Sequence, residues 1–231
     1  MSNTLFLRLE GPMQSWGERS PWKYRDSARE PTKSGVVGLL ACALGVSNDE
    51  DLRHLSGQIR IGVRCDKSGR MLTDYHTVGG GHKDQGVLRQ ATGELKPPTY
   101  IEQTYRSYLH DASFLVAVLA SESNLIDKLA NALRNPHWPI FLGRKSCPLA
   151  YPPLEGIGDY DSLKTALETW GKTEWPEHTN VRAVIECLPS DPQAIMRRDE
   201  VDLHSHARWT FLPRYSKEIF LPKAHVKVKE V

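Results

Sequence analysis

Residues 112–120, ASFLVAVLA, are nine residues with a single polar side chain among them, Ser113. A run this short, closed by Asp111 before it and Ser121 after it, reads as a buried strand. A buried strand leaves its backbone N–H and C=O groups to be paired by neighbouring strands, so the rest of the chain has to supply them. Residues 4–9, TLFLRL, alternate and run into Gly11-Pro12, the pattern of a strand ending in a turn. Residues 58–65, QIRIGVRC, turn Ile59, Ile61, Val63 and Cys65 one way and Arg60 and Arg64 the other, which gives another strand.

Two helices fall between these strands. PTKSG at 31–35 precedes VVGLLACALG, with Thr32 or Ser34 as the cap and Gly45 followed by Ser47-Asn48-Asp49 as the stop. SNLIDKLANALRN at 123–135 sets Leu125, Ile126, Leu129, Ala132 and Leu133 at helical spacing, with Ser123 as a cap. A short strand over Pro139–Leu142 then delivers Gly143, Arg144 and Lys145. From Lys67 to Asp111 the chain is polar and glycine-rich, with strand-like arms at 74–78 and 104–109 and a tip from Gly79 to Pro98. An excursion of this length within a compact domain is usually either functional or disordered. With it set aside, the order is βαββαβ, the ferredoxin-like or RNA-recognition arrangement of an α+β fold. Beyond Tyr151 the pattern weakens: a helix over 161–170, a strand over 180–188 and short strands at 209–212 and 219–221. The expected organisation is a domain over 1–150, carrying a thumb hairpin at about 78–104, and a smaller, mainly β region over 151–231.

Composition narrows the function. A net charge of +2 does not announce a nucleic-acid binder, so any basic surface has to come from local clustering. No segment has the apolar length of a membrane span, and Val36–Val46 is too short and too far along the chain for a signal peptide. Cys42, Cys65, Cys147 and Cys187 are widely spaced with no CxxC pair, which fits a reducing, cytoplasmic setting.

Three stretches carry candidate chemistry. Residues 11–35 interleave Arg19, Lys23, Arg25, Arg29 and Lys33 with Trp16, Trp22 and Tyr24, and cations with flat aromatic faces suit phosphates and bases. The long hairpin carries His82, Lys83, Arg89, Lys96 and Arg106. LGRKSCPL at 142–149 puts a glycine before Arg144 and Lys145, where the backbone can approach a ligand closely beside two charges. A solvated turn or loop is the bland alternative for each. His76, His110, Tyr75, Tyr108 and Lys145 have the chemistry for metal-free RNA cleavage, but spacing alone does not bring them together. His204 and His206, with Asp199 and Asp202 nearby, lack a specified third metal ligand.

The blocks FLRLEGPMQSWG, PTKSGVVGLLACALG, DYHTV, YLHDASFLVA and LGRKSCPL, in this order over residues 4–155, closely resemble the CasD family, the fifth-family CRISPR-associated subunits of type I-E Cascade. The resemblance implies a ferredoxin-like domain with a thumb, and a place at one end of the Cascade filament, capping the 5′ handle of the CRISPR RNA. It implies a CasC-type backbone subunit and a CasA-type large subunit as neighbours, and proximity to target DNA. It implies no cofactor, no metal and no catalytic residue, because a separate subunit cuts the precursor RNA in type I-E systems. The type I-C branch of the family does cut precursor RNA, and a metal-independent endoribonuclease is therefore the alternative. On this reading the expected RNA-binding residues are Gln14, Trp16, Arg19, Lys33, Ser34, Arg106, Arg144 and Lys145.

Overall fold

The computed structural model describes residues 3–18, 23–79, 88–90, 92–97, 99–171, 180–205 and 208–222. The elements run β1 (Thr4–Glu10), β2 (Met13–Gln14), β3 (Tyr24–Arg25), α1 (Lys33–Leu44), α2 (Asp49–Gln58), β4 (Ile59–Lys67), β5 (Arg70–Gly79), β6 (Ile101–His110) and β7 (Ser113–Ala120). They continue with α3 (Ser123–Arg134), β8 (Leu154–Gly158), α4 (Leu163–Thr169), β9 (Val181–Glu186), β10 (Ile195–Ser205) and β11 (Arg208–Leu221). The fold is mixed α and β, built on antiparallel sheet pairings.

The large sheet has seven strands in the order β10-β11-β9-β4-β7-β1-β8. The ASFLVAVLA run is its inner strand β7, antiparallel to β1 on one side and to β4 on the other. Both of its faces are covered, which is why its apolar residues are continuous rather than alternating. Phe114, Val116 and Val118 join Leu5, Leu7 and Leu9 of β1 in a core closed by α1 and α3 through residues such as Val36, Leu40, Ile126 and Leu129. Leu115, Ala117 and Phe6 face the other way, onto Leu163, Ala166 and Leu167 of α4. The Phe6 ring stacks on Trp170 with centroids 4.0 Å apart. On the polar face of β4, Arg60 is exposed but Arg64 is fully buried and donates to the Leu167 and Trp170 carbonyls and to Asp66.

The expected strand at Pro139–Leu142 is instead an irregular segment leading into a turn at Lys145–Ser146. Pro139 has no N–H to donate, and the Leu142 N–H is taken by the Cys147 carbonyl at 2.8 Å, which closes the chain on itself. The strand beside β1 is β8, later in the chain. A helix absent from the sequence reading, α2, begins at Asn48, whose side chain accepts from the Asp51 N–H and caps it. Thr32 caps α1 by accepting from the Gly35 N–H. Ser123 is the first residue of α3 rather than its cap. The last third forms no separate sheet: β8 flanks β1, while β9, β11 and β10 extend the sheet beyond β4. The strands expected at 209–212 and 219–221 are one long strand, β11, paired with both β10 and β9.

The polar excursion is a second sheet. β5 and β6 pair in unbroken register from Arg70 opposite His110 to Gly79 opposite Ile101. The short strands β2 and β3 line the other edge of β6. His82 and Lys83, at the tip, lie outside the described residues.

Candidate nucleic-acid interface

The first loop is anchored before it reaches the surface. Gln14 is fully buried; its side-chain amide donates to the carbonyls of Leu9 and Ala112 at 3.1 and 2.8 Å. Its carbonyl oxygen accepts from the Trp16 indole N–H at 3.0 Å. Trp16 is buried as well and packs on Gly35, where a Cβ would lie 2.7 Å from the ring. Neither residue offers a face to a base, which corrects the expectation for both: they seat the loop on the core. Arg19 lies outside the described residues.

The start of α1 is occupied from within. The Lys33 N–H, one of the free donors at the helix N-terminus, donates to Asp199 Oδ2 at 2.9 Å. Lys33 itself is buried, with Nζ 2.6 Å from Glu200 and 3.4 Å from Glu186. Arg214 donates to both Asp199 oxygens at 2.9 and 2.7 Å. Burial pushes the Asp199 carboxyl pKa up, but the Arg214 hydrogen bonds and charge, with the Lys33 N–H, more than offset this and hold it below the usual value. The expected phosphate site at Lys33 is therefore a buried ion network joining α1 to β10 and β11. Ser34, half-buried, lines an adjacent cavity of about 230 Å³ with Trp16, Gly17, Gly143 and Phe211.

The glycine before Arg144 approaches the protein's own backbone rather than a ligand. Gly143 has φ of 86°, and a Cβ there would lie 1.7 Å from the Ser15 carbonyl oxygen. Arg144 is half-buried and donates to the carbonyls of Ser107, Arg25 and Asp26 at 3.1 to 3.2 Å, with its guanidinium 4.7 Å from the Tyr108 ring centroid. It braces β3 and β6 and is not the open clamp expected. Lys145 beside it is exposed and makes no ion pair among the described residues.

The two faces of the hairpin sheet differ. One turns Arg106, Tyr108 and His110 of β6 and Leu72, Asp74 and His76 of β5 into a groove of about 530 Å³. Arg106 is half-buried there, its Nε 3.4 Å from Thr104 Oγ1. The His76 Nδ1 lies 3.3 Å from the same hydroxyl. His76, Tyr108 and His110 thus converge, while Tyr75 and Lys145 are not among the groove's lining residues. The other face carries Tyr24, Tyr75 and Tyr105, of which Tyr105 was not singled out from sequence. No group of three or more metal-ligating side chains occurs among the described residues, and His206 lies outside them.

The architecture is a large antiparallel sheet core bearing a second, hairpin sheet with cations and aromatics on its faces. The model of the CRISPR-associated protein (Cas_Cas5) family matches residues 4–216, and the chain belongs to that family. Among its relatives is the CRISPR system Cascade subunit CasD of Escherichia coli (strain K12). The two are 39% identical over 180 residues, 72% of this chain and 76% of the relative. A chain of a solved CRISPR RNA-guided surveillance complex matches with a TM-score of 0.78 at 30% identity, over 94% of this chain and 90% of that one. A crystal structure of a Cas protein matches with a TM-score of 0.66 at 33% identity, over 95% of both chains.

Proposed function

We propose that the protein is a non-catalytic subunit of a type I-E Cascade effector that caps the 5′ handle of the CRISPR RNA in antiviral defence. The observation that carries this reading is its likeness, over nearly its whole length, to a chain of an RNA-guided surveillance complex. The strand order β8-β1-β7-β4, with helices in both crossovers, supports a ferredoxin-like core within residues 1–158. The polar hairpin sheet supports a thumb that lies along RNA and meets a CasC-type backbone subunit. A CasA-type large subunit is the second neighbour, target DNA lies near, and the setting is the cytoplasm. No helix among the described residues is long and apolar enough to cross a membrane.

The residues assigned to RNA are Arg19, Ser34, Arg106 and Lys145, with Gln14, Trp16, Lys33 and Arg144 holding the surface in place. Binding is largely electrostatic and weakens with salt. The test is incubation of the full chain with labelled precursor CRISPR RNA in EDTA, run on a native and a denaturing gel. A shift with the RNA intact supports capping. One observation favours a second reading, metal-independent cleavage: His76, Tyr108, His110 and Arg106 line a single groove. Cleaved product that disappears in His76→Ala or His110→Ala would replace the first reading with the second.

A further inference from the structure

The groove face of the hairpin is accounted for above; its opposite face is not. There the register sets three tyrosines side by side across three strands. Tyr75 of β5 lies opposite Tyr105 of β6, which lies opposite Tyr24 of β3. The Tyr24 and Tyr105 rings stack, with centroids 5.2 Å apart and planes within 8°. Tyr75 leans on Tyr105 at 5.6 Å and 54°. The outer two are open to solvent, Tyr24 at 55% and Tyr75 at 53%. The rows on either side in register are polar: Thr73 with Ser107, and Thr77 with Gln103. Lys23 stands over Tyr24, its Nζ 5.9 Å from the ring centroid.

We propose that this tyrosine ladder is a base-stacking platform for single-stranded RNA, an assignment that rests on the RNA-binding reading above. Every base has a flat face, and exposed aromatic rings on a sheet receive it without regard to sequence. The hydroxyls and amide of Thr73, Thr77, Gln103 and Ser107 supply donors and acceptors for base edges. The paired residues of these flanking rows carry no carboxylate, and Lys23, with Glu102 within its electrostatic reach, lies beside the outer ring for a phosphate. The ladder is already assembled, so a base docks without the cost of ordering the rings. Arg144 contributes by holding the main chain at Arg25 and Ser107, on the two strands that bring Tyr24 and Tyr105 together.

The test uses the full chain and a fluorescein-labelled single-stranded RNA of the repeat sequence, with a matching series in which one nucleotide at a time is abasic. Tyr24→Ala and Tyr75→Ala alter the exposed ends of the ladder, and circular dichroism checks their folding. Each alanine variant is expected to weaken binding by about 5- to 150-fold, the range for losing one stacked base, while Tyr24→Phe and Tyr75→Phe bind as wild type. One abasic position should weaken the wild type and have no further effect in the alanine variant that lost its partner. Wild-type affinity in both folded alanine variants, with salt-sensitive binding intact, overturns the platform and leaves the RNA-binding reading standing. Alanine variants that keep RNA affinity but fail to join the assembled complex make the ladder a protein contact and also overturn it. Absence of salt-sensitive RNA binding by the wild type removes the reading and the platform together.

Discussion

Lys33→Met separates the two roles a cation at the start of α1 can have. As a phosphate ligand, Lys33 would be dispensable for folding and needed for RNA affinity. In the structure it is buried, with its ammonium between Glu200 and Glu186 at 2.6 and 3.4 Å. Methionine keeps most of the stem and removes the charge, leaving two carboxylates short of a cation. Breaking a buried pair by removing one partner costs about 3–5 kcal/mol. The low end applies here, because Glu186 keeps a contact with Arg214 at 3.9 Å and Glu200 keeps the Ser56 hydroxyl. A loss of about 3 kcal/mol is a large part of a typical stability of about 5–15 kcal/mol, and lowers the melting temperature by about 6–12 °C at this chain length. Urea unfolding reads the first quantity, calorimetry the second and a native RNA shift the third. A wild-type urea midpoint together with a tenfold loss of RNA affinity would refute the buried-network reasoning.

Arg144→Ala should cost about 1–3 kcal/mol in urea unfolding, because three backbone carbonyls lose a charged donor; Arg144→Lys should not restore it, since one ammonium cannot span the fork of contacts to Ser107, Arg25 and Asp26. Lys145→Ala should leave stability within about 0.5 kcal/mol and reduce the salt slope of RNA binding by about 1, read from titrations at several salt concentrations. Gly143→Ala should destabilise by more than about 2 kcal/mol, since its φ of 86° is strained for alanine and the Ser15 carbonyl fills the Cβ position, and a soluble variant with an unchanged melting curve would contradict this. Asp199, held below its ordinary pKa, contributes stability that is full above the unfolded value of about 4 and is lost as pH falls through the depressed folded value. Acid unfolding followed by tryptophan fluorescence should therefore lose part of its pH dependence in Asp199→Asn.

The elements that carry strong periodicity were legible in the sequence. β1, β4, β7, α1 and α3 are long and apolar enough to announce themselves, and the hairpin arms showed as a polar stretch between buried strands. α2 was missed because DEDLRHLSGQ buries only Leu55 and Ser56 and so lacks a helical stripe. β10 was missed because IMRRDEVDLHS hides its polar residues by pairing rather than by alternation: Asp199 is buried with Arg214, and Arg197 bonds Glu30 and Glu18. The strand expected at 139–142 failed for the opposite reason. Ile140, Phe141 and Leu142 are apolar, but the Leu142 N–H goes to Cys147, the Phe141 carbonyl to the Gly143 N–H and the Leu142 carbonyl to the Ser15 N–H, pairings that sequence does not display.

The same difference explains which site residues the sequence could place. A basic, aromatic stretch states which groups are present and not which way they point. Of the residues picked from it, Gln14, Trp16 and Lys33 are spent on the fold, because a buried amide, indole and ammonium have to be satisfied from within before they can be offered to anything else. Tyr105 was not singled out because its value comes from register: it matters only with Tyr24 on one side and Tyr75 on the other, partners 81 and 30 residues away in sequence. A net charge of +2 belongs to the same account. Lys33, Arg64, Arg182, Arg197 and Arg214 are all matched by carboxylates within the fold. Part of the positive charge is thus spent inside the fold, while Lys23 and Lys145 stay exposed beside the strands that Arg144 holds together.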